Sequence, residues 1–294
     1  MNSNMKILVT GACGQLGREL RDAFDRKNIT DVTYFGHGDL DVTDAEAVAT
    51  CMRVGEYTHV VNCAAYTAVD RAEEEKAQCV ALNTTAVENI ARAAAENGAR
   101  VLHISTDYVF DGSANRPYDE SAKAAPLSVY GTTKRKGETV LLGLAPDSII
   151  VRTGWLYSAA GHNFVRTMAE LRDKDRPAGV VSDQIGTPTL AADLADAIVT
   201  ILEAPTWMPG IYHYSNEGVA SWYDVAFAVY DAAGKGYLVT PIATADYPTA
   251  ATRPPYAVLS KSKIKSTYGI TIPHWLSSLR KCLNTIDTTE NGNA

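Results

Sequence analysis

Short apolar segments alternate with helical patterns from the start of this 294-residue chain, and that rhythm restricts its fold more than any other feature. Lys6–Thr10 has the composition of a buried strand, and Gln15–Phe24 places Leu16, Leu20, Ala23 and Phe24 on one helical face. Val32–Phe35, His59–Cys63, Arg100–Ser105 and Ser148–Arg152 read as further strands. Between them lie helical stretches. One starts at Thr43 or Asp44 and carries Ala45, Val48, Ala49 and Met52; one carries Val87, Ile90, Ala91 and Ala94 and is closed by Gly98; one runs from Tyr130 to Leu142. Strands separated by helices pair in parallel, because the helix supplies the crossover and then covers a face of the sheet. The expected fold is therefore α/β: a doubly wound parallel sheet of Rossmann type.

The rhythm loosens after Arg152. Phe164–Leu171 and Leu190–Leu202 are helical in pattern, Val180–Ser182 suggests a short strand, and Ser221 to Asp224 has the form of a capping box. Thr240–Pro255 contains four prolines and reads as loop. These features predict a dinucleotide-binding domain over 5–152 plus about 187–204. A smaller α+β substrate lobe is expected over about 153–186 plus 205–287, with a disordered tail over 288–294.

A net charge of −7 gives no electrostatic reason to bind nucleic acid or an anionic membrane. No apolar run approaches membrane-spanning length, and Ile7–Val9 is too short for a signal segment. The five cysteines are scattered, without metal-ligand spacing, as expected of free thiols in a reducing compartment; a cytoplasmic location and no metal site are expected.

The glycine-rich segment Gly11-Ala12-Cys13-Gly14-Gln15-Leu16-Gly17 follows the first strand and opens the first helix. Gly11 would permit a tight turn, Gly14 a close approach of backbone to a pyrophosphate, and Gly17 close helix-to-strand packing. The helix N-terminus would then offer free N–H groups to the phosphates. After the second strand, Gly36-His37-Gly38 supplies neither the carboxylate that selects NAD nor the arginine that selects NADP, so NADPH or NADH is expected. Asp41-Val42 is placed to meet the adenine. Asn62–Thr67, at the end of the third strand, is either a backbone passage beside the cofactor or a plainly packed strand end.

Ser105-Thr106-Asp107 lies at the carboxyl end of the fourth strand, where open α/β sheets place ligands. Tyr130 and Lys134 share one helical face, being four residues apart. A phenol titrating near pH 10 is a poor proton shuttle, and a neighbouring ammonium together with an oxidised nicotinamide would lower that value. In this arrangement a hydride acceptor becomes an alkoxide, Tyr130 protonates it, and Thr106 orients the same oxygen.

Together these residues resemble the extended short-chain dehydrogenase/reductase family. Within it, Ser105–Gly112, Val129–Lys134 and Arg152–Tyr157 are similar to reductases of dTDP-linked 4-keto-6-deoxyhexoses, as are Asn62–Asp70, Asn163-Phe164, Asp183–Thr189 and Arg253-Pro254. The resemblance implies reduction of dTDP-4-dehydro-L-rhamnose to dTDP-L-rhamnose, the last step in making the rhamnose donor for polysaccharide. It implies a catalytic set of Thr106, Tyr130 and Lys134. Cofactor contacts are implied at Gly11, Gly14, Gln15, Leu16, Gly17, Asp41, Val42, Ala64, Ala65, Tyr66 and Thr67, with Tyr130 and Lys134. Substrate contacts are implied at Thr106, Asp107 and Trp155. Arg253 is a candidate for the diphosphate; its alternative is a surface arginine beside prolines. Related dehydratases carry an Asp-Glu pair after the threonine, whereas Asp107 is followed here by Tyr108. Epimerising relatives use a cysteine at this position, and none lies between Cys79 and Cys282. Ala191 and Ala192 lack the carboxylate of magnesium-linked dimers, so a monomer or weak homodimer is expected. Reduction of a related deoxysugar nucleotide and a non-catalytic dinucleotide-binding subunit are the competing readings.

Overall fold

The structure, a computed structural model, describes residues 5–291. Along the chain come β1 (Ile7–Thr10), α1 (Gln15–Arg26), β2 (Val32–Phe35), α2 (Ala45–Gly55), β3 (His59–Asn62), α3 (Lys76–Val80), α4 (Ala86–Glu96), β4 (Arg100–Thr106), α5 (Val129–Leu144) and β5 (Ile149–Thr153). Then follow β6 (Leu156–Tyr157), α6 (Phe164–Asp173), β7 (Ala178–Val181), β8 (Ile185–Gly186), β9 (Thr189–Leu190), α7 (Ala191–Glu203), β10 (Gly210–His213), β11 (Ala220–Ser221), α8 (Trp222–Asp231), β12 (Val239–Ile242), α9 (Ser262–Tyr268) and α10 (Trp275–Asn291).

Six strands form one sheet in the order β10-β5-β4-β3-β1-β2, every pair parallel. The inner strands β1, β3, β4 and β5 are apolar on both faces, so successive residues enter different cores. Ile7 and Val9 pack with Leu194, Ile198 and Leu202 of α7 and with Leu20 and Phe24 of α1. Leu8 instead packs with Val48 and Met52 of α2 and with Val87 and Ile90 of α4. This is the doubly wound α/β arrangement expected from the alternation of strands and helices. From β1 the chain goes to one side for β2 and to the other for β3. The carboxyl ends of β1 and β3 therefore flank the point where such sheets take ligands.

A separate apolar cluster joins Val165 and Met168 of α6, Val180 of β7, Val225 and Val229 of α8 and Leu279 and Leu283 of α10. Three differences from the sequence expectation belong to this half. Gly210–His213, assigned by pattern to the substrate lobe, is the sixth strand of the central sheet. It is short and begins with glycine, so only its pairing with β5 reveals it. Thr240–Ile242, read as loop, is strand; Pro241 is accommodated because β12 pairs with β7 alone. The helix α10 continues to Asn291, past the expected start of the tail at 288, because Leu279, Leu283 and Ile286 bury one helical face against the lobe. The rest of that expected tail, 292–294, lies outside the described residues.

Candidate active site

The turn after β1 is built on close backbone contacts. Gly11 has φ +67°, and a Cβ on it would lie 2.6 Å from Ala64 N, so only glycine lets this turn rest on the loop after β3. A Cβ on Gly17 would lie 2.5 Å from Ala12 Cα, which fixes how tightly α1 closes onto the turn. Gly14 N-caps α1 with no side chain bonded to the first-turn N–H groups. Those donors are left for a ligand at the end of the helix. Gln15 reaches across to the second lobe, its Oε1 accepting from Asn163 Nδ2 (2.9 Å) and Ser158 Oγ (3.2 Å).

Between the sheet and the lobe lies a cleft of about 660 Å³. It brings together most of the residues singled out by sequence: Gly11, Gly14, Gln15, Leu16, Gly17, Val42, Ala64, Ala65 and Thr67 at one end, and Thr106, Asp107, Tyr130, Lys134 and Trp155 at the other. Gly36 and His37 also border it, and the Asp39 carboxylate is turned back onto the Gly36 N–H (2.8 Å).

Asp41, Tyr66 and Arg253 do not line the cleft. The exposed Asp41 carboxylate accepts from Thr43 N (2.9 Å) and Thr43 Oγ1 (2.7 Å), closing a turn on itself. The hydroxyl of Tyr66 donates to Glu75, away from the loop backbone. Arg253 is neither free on the surface nor turned into the cleft. It forms a two-pronged ion pair with Asp70 (3.0 and 2.7 Å), and the same carboxylate accepts from Ala251 N (3.1 Å).

Thr106 ends β4, and Tyr130 and Lys134 come from the first turns of α5, whose N-cap Ser128 accepts from Gly131 N (3.1 Å). Gly131 is required for this approach, since a Cβ there would lie 2.2 Å from Tyr108 O. The Thr106 hydroxyl donates to the Asp107 carboxylate (3.1 Å) and lines the cleft together with the Tyr130 phenol. Burial dominates the electrostatics. It pushes the Tyr130 phenol up to about 12, against a smaller lowering by Thr106. Without a cofactor in the cleft, loss of hydration dominates and Tyr130 holds its proton at neutral pH. Burial also raises the Asp107 carboxyl to about 7 and lowers Lys134 to about 8, the latter partly countered by Glu138. Lys134 Nζ donates to Ile104 O (2.6 Å).

Three neighbours are missing from the site that the sequence predicts, although Asn62 figures in the sequence as the start of a strand-end motif. His103, fully buried on β4, has Nε2 3.3 Å from Lys134 Nζ. Asn62 stands beside it, Nδ2 to Nδ1 at 3.0 Å. A histidine in an apolar strand run was the available signal. Trp222, at the start of α8, stacks on Trp155; nothing local in the sequence brings those two together.

A parallel sheet with a glycine turn at its switch point, opening onto a threonine, tyrosine and lysine in one cleft, defines an oxidoreductase of the extended short-chain dehydrogenase/reductase type. Residues 5–288 match the model of the RmlD substrate binding domain, and the chain belongs to that family, the dTDP-4-dehydrorhamnose reductases. It is 40% identical to the dTDP-4-dehydrorhamnose reductase of Aggregatibacter actinomycetemcomitans over 285 residues, covering 94% of this chain and 97% of that protein. The crystal structure of a dTDP-4-dehydrorhamnose reductase from Clostridium acetobutylicum superposes with a TM-score of 0.92 at 40% identity, covering 96% of this chain and 100% of the other. That of the Bacillus anthracis enzyme, solved in complex with NADP, gives 0.91 at 34% identity, with 96% and 99% covered.

Proposed function

We propose that this protein reduces the C4 keto group of dTDP-4-dehydro-L-rhamnose to dTDP-L-rhamnose, using NADPH or NADH, as the last step in dTDP-rhamnose biosynthesis. The observation that carries the reading is the meeting of Thr106, Tyr130 and Lys134 in the cleft that also holds the glycine turn. The turn suits a dinucleotide: its backbone leaves no room for side chains at Gly11 and Gly17, and the α1 N-terminus is uncapped.

A nicotinamide cofactor bound in this cleft would supply the hydride for the C4 carbon. Tyr130, protonated at neutral pH, donates its phenolic proton to the oxygen that becomes negative. Thr106 donates a hydrogen bond to the same oxygen and holds the keto group in line. Lys134 would stabilise the phenolate that remains and hold the nicotinamide ribose. Gly11, Gly14, Gln15, Leu16, Gly17, Val42, Ala64, Ala65 and Thr67 would hold the cofactor, and Asp107 and Trp155 the sugar nucleotide. The second lobe would close over that substrate. Arg253, held by Asp70, would reach the diphosphate only by exchanging partners. The five cysteines are all free, which suits a cytoplasmic enzyme, and a monomer or weak homodimer is the expected form.

The test is cofactor oxidation by the purified protein on addition of dTDP-4-dehydro-L-rhamnose. Turnover with that substrate and formation of dTDP-rhamnose are expected. No oxidation with either cofactor would overturn the reading.

A further inference from the structure

Thr10, Asn62 and His103 occupy one register row across β1, β3 and β4. Their side chains form a hydrogen-bonded line that ends at Lys134. Asn62 Oδ1 accepts from Thr10 Oγ1 (2.8 Å) and from Ala64 N (3.1 Å). A backbone N–H can only donate, so the amide oxygen must face it, and the Asn62 Nδ2 group must face His103 Nδ1 at 3.0 Å. Nδ2 likewise can only donate, so Nδ1 accepts and carries no proton. Burial holds the His103 imidazole neutral, so its one proton sits on Nε2. That N–H points at Lys134 Nζ, 3.3 Å away. Facing an ammonium it would meet a second donor; facing an amine it finds a lone pair.

We propose that Asn62, acting through the His103 tautomer, keeps Lys134 an uncharged amine in the free protein, and that Lys134 takes up a proton from the solvent when the reduced cofactor binds. Asn62 and His103 are positioning residues: they act on the cofactor and substrate only through Lys134. The inference rests on the reading that the cleft takes a nicotinamide cofactor. The proton balance is simple: one N–H bond forms at Lys134 Nζ, and the buffer loses one proton. A dinucleotide brings phosphate charge and ribose oxygens, both of which favour the ammonium. The other titratable groups around Lys134 are Cys63 after β3, Cys79 on α3, and Tyr130 and Glu138 on its own helix. Cys63 is held as a thiol by burial, and Glu138 is paired to Arg152 (2.7 Å). Burial of Lys134 works in the same direction as the tautomer.

The test is calorimetric titration of the protein with NADH at about pH 9, above the value to which burial alone lowers Lys134, in buffers of different ionisation enthalpy. The expected result is a binding heat that varies with the buffer, corresponding to uptake approaching one proton per NADH. Asn62→Asp replaces the Nδ2 donor by a carboxylate oxygen. His103 can then carry its proton on Nδ1 and accept from the ammonium, so uptake should fall towards zero while NADH still binds. Lys134→Met should also lose the uptake. A buffer-independent binding heat in the unaltered protein, or full uptake in both variants, would overturn the proposal. Failure of NADH to bind would overturn the cofactor reading and this proposal with it. Should Asn62→Asp not fold, ¹⁵N spectra of the unaltered protein decide, with the His103 signals identified by His103→Gln. A proton on Nε2 is expected, and a proton on Nδ1 would refute the assignment.

Discussion

Trp155 lies flat on Trp222, ring centroids 3.7 Å apart and planes at 9°. Trp155 is held at φ +50°, a left-handed conformation uncommon for a bulky residue, immediately after the β5 strand. Its indole also covers Gly186, where a Cβ would lie 2.7 Å from the ring. The stack thus joins the end of the sheet to the start of α8 and forms a wall of the cleft. Trp222→Ala removes the support while leaving Trp155 in place. An aromatic pair contributes about 0.5–1.5 kcal/mol beyond its area, so KM for the sugar nucleotide should rise roughly 2–10-fold. The KM for cofactor should hardly change. Steady-state kinetics with each substrate varied in turn would check this.

Tyr130→Phe removes the phenolic proton and keeps the ring, including its edge-on contact with Tyr108 at 5.5 Å. Proton donation by a positioned group is worth about 10²–10⁴-fold in rate. Turnover should fall by that order while cofactor titration, followed by fluorescence, gives an unchanged affinity. Unchanged turnover would remove Tyr130 from the chemistry.

Asp107 titrates near 7 because burial disfavours its charged form. An unfolded aspartate titrates near about 3.9, so the native state binds the extra proton between these values. The favourable contribution is therefore complete below about pH 4 and is lost as pH rises through 7. Asp107→Asn should abolish this component. The difference in Tm between pH 5 and pH 8, roughly either side of that transition, should be smaller in the variant than in the unaltered protein. An equal difference in both would show that Asp107 does not titrate there.

Arg152 and Glu138 form a buried, two-pronged ion pair, with both contacts at 2.7 Å. Arg152→Leu strands a buried carboxylate and should cost about 3–5 kcal/mol in chemical denaturation. Arg135 also touches Glu138 (2.8 Å) but is partly exposed, so Arg135→Ala should cost less than about 1 kcal/mol. Equal losses would contradict the burial argument.

Much of this molecule is legible in local pattern. The first five strands of the sheet, the helices between them and the glycine turn follow from residue periodicity, because the inner strands must be apolar on both faces. The Thr106, Tyr130 and Lys134 set follows too, since strand ends and a helical spacing of four place them. Arg253 shows where that reasoning stops. Its pairing with Asp70 spans 183 residues of sequence, and no local pattern announces it. The same holds for β10, a four-residue strand with no amphipathic signature that is recognised only by its pairing to β5.

The sequence alone determined the class of fold, the position of the glycine turn and the threonine, tyrosine and lysine that share its cleft, because these depend on short-range periodicity and on residue chemistry. Tertiary structure decided the electrostatics. Whether Tyr130 keeps its proton, whether Asp107 is neutral and which nitrogen of His103 carries hydrogen depend on burial and on partners from other strands. Dehydration and long-range hydrogen bonds exist only once the sheet is assembled, and they set the proton inventory of the cleft.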